Sequence, residues 1–158
     1  SQIDIEGITI SDSYIDDIRC GTRYFKRGGH YIGCTNDGIW NDEKAEYHTI
    51  TGIVYYGAAV DGKLSDKNAI IKYTDSSSKQ YIGEVVDFFL EGEGTKYFHN
   101  GHYLKGVWSK NRLLDGEYNC GINTIKKINS MWQIDNLTKN EKQNGVMTEK
   151  LQSICEKD

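Results

Sequence analysis

At 158 residues the chain has room for one domain, and a chain of about this length hides roughly 70% of its extended surface on folding, enough for a core. With 23 acidic against 19 basic residues the formal net charge is −4, which excludes a protein that holds nucleic acid through a strong positive field. Eleven Tyr, 4 Phe and 3 Trp exclude a disordered chain, and no run approaches the roughly 18 apolar residues of a membrane-spanning helix.

The chain opens Ser1-Gln2-Ile3-Asp4, with neither a basic start nor an apolar run, so no export signal is read there. The expected location is cytoplasmic, or extracytoplasmic if a leader has been removed. Cys20, Cys34, Cys120 and Cys155 contain no C-x-x-C pair, which argues against a zinc ribbon or a redox dithiol. Two disulfides and four thiols both fit this spacing.

Strand signals dominate the first 120 residues. Residues 3–10, 50–56, 69–73 and 81–90 are rich in Ile, Val, Thr, Tyr and Phe, and Gly, Asn, Asp and Ser clusters separate them. Asp61-Gly62, Asn100-Gly101 and Asp115-Gly116 are the expected tight turns, because Gly accepts the positive φ they require. Residues 95–108 form the clearest hairpin. A two-residue turn at Asn100-Gly101 would set His99 opposite His102, Tyr97 opposite Leu104 and Thr95 opposite Gly106.

The end of the chain changes character. Thr138 and Glu141 fit a capping box, and Met147, Leu151, Ile154 and Cys155 recur at helical spacing. A short C-terminal capping helix over 138–157 is expected.

The strongest signal is an internal repeat. The template G-x-x-Y-x-G fits from Gly28 and from Gly52, from Ser78 with Ser in first place, and from Gly101 with Leu104 in the Tyr place. The starts are 24, 26 and 23 residues apart. Gly21-Thr22-Arg23-Tyr24-Phe25 also returns as Gly94-Thr95-Lys96-Tyr97-Phe98. One hairpin cannot bury its own apolar face, so the units must stack. The expected fold is all-β: stacked antiparallel hairpins over about 21–120 with a period of 23–26, forming one elongated sheet in a single domain, 1–158.

Tyr81-Ile82-Gly83-Glu84, Gly92-x-Gly94 and Asn100-Gly101-x-x-Leu104-Lys105-Gly106-x-Trp108 resemble successive MORN repeats (membrane occupation and recognition nexus). The resemblance covers about 21–120. It implies stacked β-hairpins with roles in scaffolding, self-association and protein binding, with lipid contact also proposed for the family. It implies no catalytic residues. Ser78, Leu104 and the irregular stretch 61–75 depart from the pattern and weaken the transfer of any particular binding surface.

Residues with reactive groups form no recognisable set. His99 and His102 would flank the proposed turn, with Glu91 or Glu93 near enough to complete a metal site, although solvated hairpin residues explain them as well. His30 has no histidine across its own turn, and His48 stands alone. No nucleophile elbow or dinucleotide fingerprint is present. Asn36-Asp37-Gly38 departs from calcium-loop spacing. Turn carboxylates such as Glu91 and Glu117 leave a small hydrolase as one alternative. An immunity- or inhibitor-type protein that blocks a partner's active site is another. The main expectation is a non-catalytic module that binds a protein, with no metal and no cofactor. Its expected contact residues are Tyr31, Tyr55, Tyr81, Tyr97, Tyr103 and Trp108, since a ring with a polar tip suits a protein interface.

The register drawn from the repeat makes one further statement. If Arg27-Gly28 is a two-residue turn equivalent to Asn100-Gly101, Cys20 opposes Thr35 and Cys34 opposes Gly21. The two sulfurs then lie on opposite faces, and no Cys20–Cys34 disulfide is expected.

Overall fold

The structure, a computed structural model, describes residues 17–133 and, ahead of them, the backbone of three short strands. The expected helix at 138–157 and Cys155 lie outside the described residues. In chain order the strands are β1 (Ile3–Ile5), β2 (Ile8–Ile10), β3 (Ser13–Ile15), β4 (Ile18–Tyr24), β5 (His30–Asn36), β6 (Ile39–Trp40), β7 (Asp42–His48) and β8 (Val54–Val60). They continue as β9 (Lys63–Leu64), β10 (Asp66–Lys72), β11 (Ser78–Val86), β12 (Phe89–Phe98), β13 (Tyr103–Ser109), β14 (Arg112–Asn119), β15 (Thr124–Ile128) and β16 (Met131–Trp132). β1 and β2 pair with each other. The other 14 make one open antiparallel sheet of consecutive hairpins.

The two long edges of the sheet turn differently. Along one edge, Asp37-Gly38, Asp61-Gly62, Asp87-Phe88, Lys110-Asn111 and Asn129-Ser130 all have positive φ at both central positions. That is the two-residue turn whose twist matches the strands it joins. Along the other edge, three hairpins share a three-residue loop: Phe25, Thr49 and Phe98 each donate to the carbonyl four residues on, at 2.9–3.1 Å. Gly28, Gly52 and Gly101 fill the last loop position at φ +89 to +102, which a side chain would strain.

That loop length overturns two expectations. Tyr97 faces Tyr103 and Gly94 faces Gly106, so His99 does not oppose His102. In the first hairpin Tyr24 faces His30, which places Cys20 directly opposite Cys34, and the two are joined by a disulfide. The first and fourth hairpins do share one register. It is the register of a three-residue loop, one step from that of a two-residue turn. Asp115-Gly116 is also no turn, because Gly116 lies mid-strand opposite Gly106.

Cross-strand partners share a face, so the registers define continuous rows. On one face runs Arg23, Tyr31, Tyr47, Tyr55, Ile71, Tyr81, Lys96, Leu104, Tyr118, Ile125. Beside it, on the same face, small residues follow one another: Gly21 and Gly33, Ala45 and Gly57, then Ala69, Gly83, Gly94, Gly106 and Gly116. The small row leaves room for the tyrosine rings to lie across it. Tyr31 donates from its hydroxyl to the carbonyl of Cys34 at 2.9 Å, Tyr55 to Ala58 at 2.7 Å and Tyr81 to Glu84 at 2.8 Å. Asp42 and Asp66 repeat in the same way, each accepting from a backbone N–H, of Cys34 and of Ala58, at 2.8 Å. These three rings, Val85, Leu90, Trp108, Leu113 and Trp132 are buried. Each such side chain contributes roughly 2–3 kcal/mol.

Candidate functional site: the open face of the sheet

Of the six expected contact residues, the structure places Tyr31, Tyr55, Tyr81 and Trp108 in the core, between 0% and 4% exposed. Their polar tips are used internally; the Trp108 Nε1–H donates to the carbonyl of Gly94 at 2.9 Å. Tyr97 and Tyr103 lie on the opposite face, half-buried, with ring centroids 6.0 Å apart. The six therefore do not form one surface.

The opposite face is built from the residues between the core positions. Its central row runs Thr22, Ile32, Glu46, Tyr56, Ile70, Ile82, Thr95, Lys105, Glu117, Lys126. Next to it runs Tyr24, His30, His48, Val54, Lys72, Gln80, Tyr97, Tyr103, Asn119, Thr124. Over β11, β12 and β13 this face opens into a groove of about 710 Å³. Ile82, Glu84, Glu93, Thr95, Lys105 and Val107 line it, and the close-packed Gly83, Gly94 and Gly106 lie in its floor. Ile82 and Val107 are 39% and 41% exposed. Glu84, Glu93 and Lys105 form no ion pair among the described residues.

Sequence reasoning named Glu93 only as a possible metal ligand and missed the other five. The signal was available, because each lies next to a glycine of the small row and so on the other face. It could be used only once the register was known.

The histidines are arranged differently from the sequence expectation. His99 sits in its loop, where its backbone N–H donates to Ser77. His102 Nδ1 shares a hydrogen bond of 2.5 Å with the Tyr118 hydroxyl. Glu91 accepts from the backbone N–H of Lys110 at 2.8 Å. The groove takes in Glu93 but none of Glu91, His99 and His102. His30 and His48, separate in the sequence, are direct cross-strand partners on the open face. Their rings stack at 4.1 Å, and His48 Nε2 bonds Glu46 Oε2 at 3.1 Å. Burial, and next the neighbouring His48, hold His30 below the usual histidine range, while Glu46 opposes this. Among the described residues no three His, Cys, Asp and Glu side chains stand as a ready-made metal cage.

No helix of the described residues is long and apolar enough to cross a membrane. No protein-family model matches the chain, and no characterised protein is significantly similar to it in sequence.

Proposed function

We propose that this is a non-catalytic protein-interaction domain of MORN-like hairpin repeats, and that it binds through the open face. The observation that carries the reading is the division of labour between the two faces. One face spends its aromatic rings on the core. The other leaves Ile82 and Val107 open to solvent in a groove beside the charged side chains of Glu84, Glu93 and Lys105, which form no ion pair among the described residues. Apolar side chains set among charged ones match the apolar centre and polar rim of a protein-binding surface. Tyr97 and Tyr103 extend the same face and remain candidate contacts. The fixed sheet needs little reordering on binding, which favours affinity.

The disulfide between Cys20 and Cys34 favours an oxidising compartment over the cytoplasm, since such bonds persist where thiols are not continually reduced.

The test uses the chain with Ile82→Asp and Val107→Asp, compared with Tyr97→Ala and Tyr103→Ala. Circular dichroism first establishes that each variant is folded. Loss of a partner that the native chain retains, with the fold intact, supports the reading. Retention of that partner by the folded groove variants contradicts it.

A further inference from the structure

The two imidazoles that the register brings together sit away from the groove, on β5 and β7. The Cβ atoms of directly opposed residues lie about 4.5–5.5 Å apart, and here the rings face each other at 4.1 Å and 14°. Glu46 lies two residues before His48, hence on the same face, and its Oε2 is 3.1 Å from His48 Nε2. Tyr24 closes the far side of His30 at 5.4 Å. The side chains of His48 and Glu46 keep 26% and 39% of their exposure, so an ion in solution reaches them.

Two of the three side chains already have the spacing of ligands around one metal. Zinc holds imidazole nitrogen and carboxylate oxygen at about 2.0–2.2 Å, so two neighbouring tetrahedral ligands stand roughly 3.3 Å apart. His48 Nε2 and Glu46 Oε2 are already near that separation. His30, whose ring lies stacked nearly parallel on that of His48, must turn about its side-chain torsions to complete the set. Two imidazoles and a carboxylate select Zn²⁺, Cu²⁺ or Ni²⁺ over Mg²⁺ or Ca²⁺, which prefer oxygen ligands alone.

We propose that His30, His48 and Glu46 bind a divalent transition-metal ion on the open face, leaving its remaining positions to water or to a side chain of a bound partner. The proposal stands independently of the protein-binding reading, since it requires only the free chain.

The full chain is titrated calorimetrically with ZnCl₂ and with CuCl₂ in a non-coordinating buffer at neutral pH. One ion is expected to bind per chain with micromolar affinity. His30→Ala and His48→Ala each weaken binding at least about tenfold, while His99→Ala leaves it unchanged. A second measurement needs no variant: Cu²⁺ should broaden the ring-proton resonances of His30 and His48 before those of His99 and His102. Absence of uptake of both metals overturns the proposal. So does uptake that survives both variants, or broadening centred on His99 and His102.

Discussion

The ring of Tyr81 fills the space that a side chain on Gly94 would need. A Cβ built there would stand 2.6 Å from Tyr81 Cε2 and closer still to the hydroxyl. Gly94 has no positive φ, so the requirement is steric and not conformational. Gly94→Ala is therefore expected to destabilise the fold by about 1–3 kcal/mol, read from urea unfolding. Combined with Tyr81→Leu, the two losses should add to less than their sum, because the second change removes the clash that the first creates. Strict additivity would contradict the packing of ring on glycine. Tyr55→Phe, which removes only a buried donor, should cost about 1 kcal/mol, whereas Tyr56→Phe on the open face should cost almost nothing.

The bond between Cys20 and Cys34 makes a covalent prediction. A non-reducing peptide map should recover the two cysteines in one linked pair. Cys20→Ser should lower stability by about 2–3 kcal/mol, given a sequence separation of 14. Adding Cys34→Ser to it should lower stability little further, since the bond is already lost. Two unlinked thiols in protein from an oxidising preparation would contradict the register of the first hairpin.

This bond shows where sequence reasoning stopped. The hairpin order, the period and the all-β class were legible because Tyr, Gly and Asp recur at near-constant spacing. The shared register of the Gly28 and Gly101 hairpins was legible too. Loop length was not: Lys26-Arg27-Gly28 and His99-Asn100-Gly101 each hold three residues, and a two-residue turn fits the same letters. That one-residue slip moves every side chain to the other face. It separated Cys20 from Cys34. The pairing of His30 with His48 was hidden for a different reason: β5 and β7 join through the Asp37-Gly38 turn and the short β6, and the repeat template set no register there. Turns such as Asp87-Phe88 and Lys110-Asn111 lack glycine altogether, so composition gave no sign of their positive φ. The contact residues were sought among the aromatics of the repeat, yet Tyr31, Tyr55 and Tyr81 repeat because the core needs them.

Two groups set the expected pH dependence. Asp75 accepts from the backbone of Ser78 above all, and from Ser77, which lowers its pKa from the ordinary 3.8 to about 2. A lowered folded pKa stabilises above the unfolded value and is lost as pH falls through the folded one. The loop that Asp75 closes should therefore loosen between about pH 4 and pH 2, and Asp75→Ala should remove that step from the acid unfolding curve. At the other extreme, burial and next the nearby Asp75 raise Tyr73 from 10.0 to about 12. A raised folded pKa leaves stability intact below the unfolded value and erodes it as pH climbs to the folded one. Burial also pushes Tyr31, Tyr55 and Tyr81 upward. Absorbance titration should show Tyr31, Tyr55, Tyr73 and Tyr81 ionising only as the fold is lost at high pH, above the ordinary tyrosine value of about 10. A single smooth titration of all the tyrosines near their ordinary value would contradict this core.

The central claim is that the open face, and not the buried one or the turn edges, meets a protein partner. Amine labelling followed by mass spectrometry, with and without the partner that the native chain retains, tests it most directly. Lys105 lines the groove, whereas Lys26 lies in a loop on one edge and Lys110 in a turn on the other. Binding should protect Lys105 strongly and leave Lys26 and Lys110 as reactive as in the free chain. Protection of Lys26 or Lys110 with Lys105 still reactive would contradict the claim.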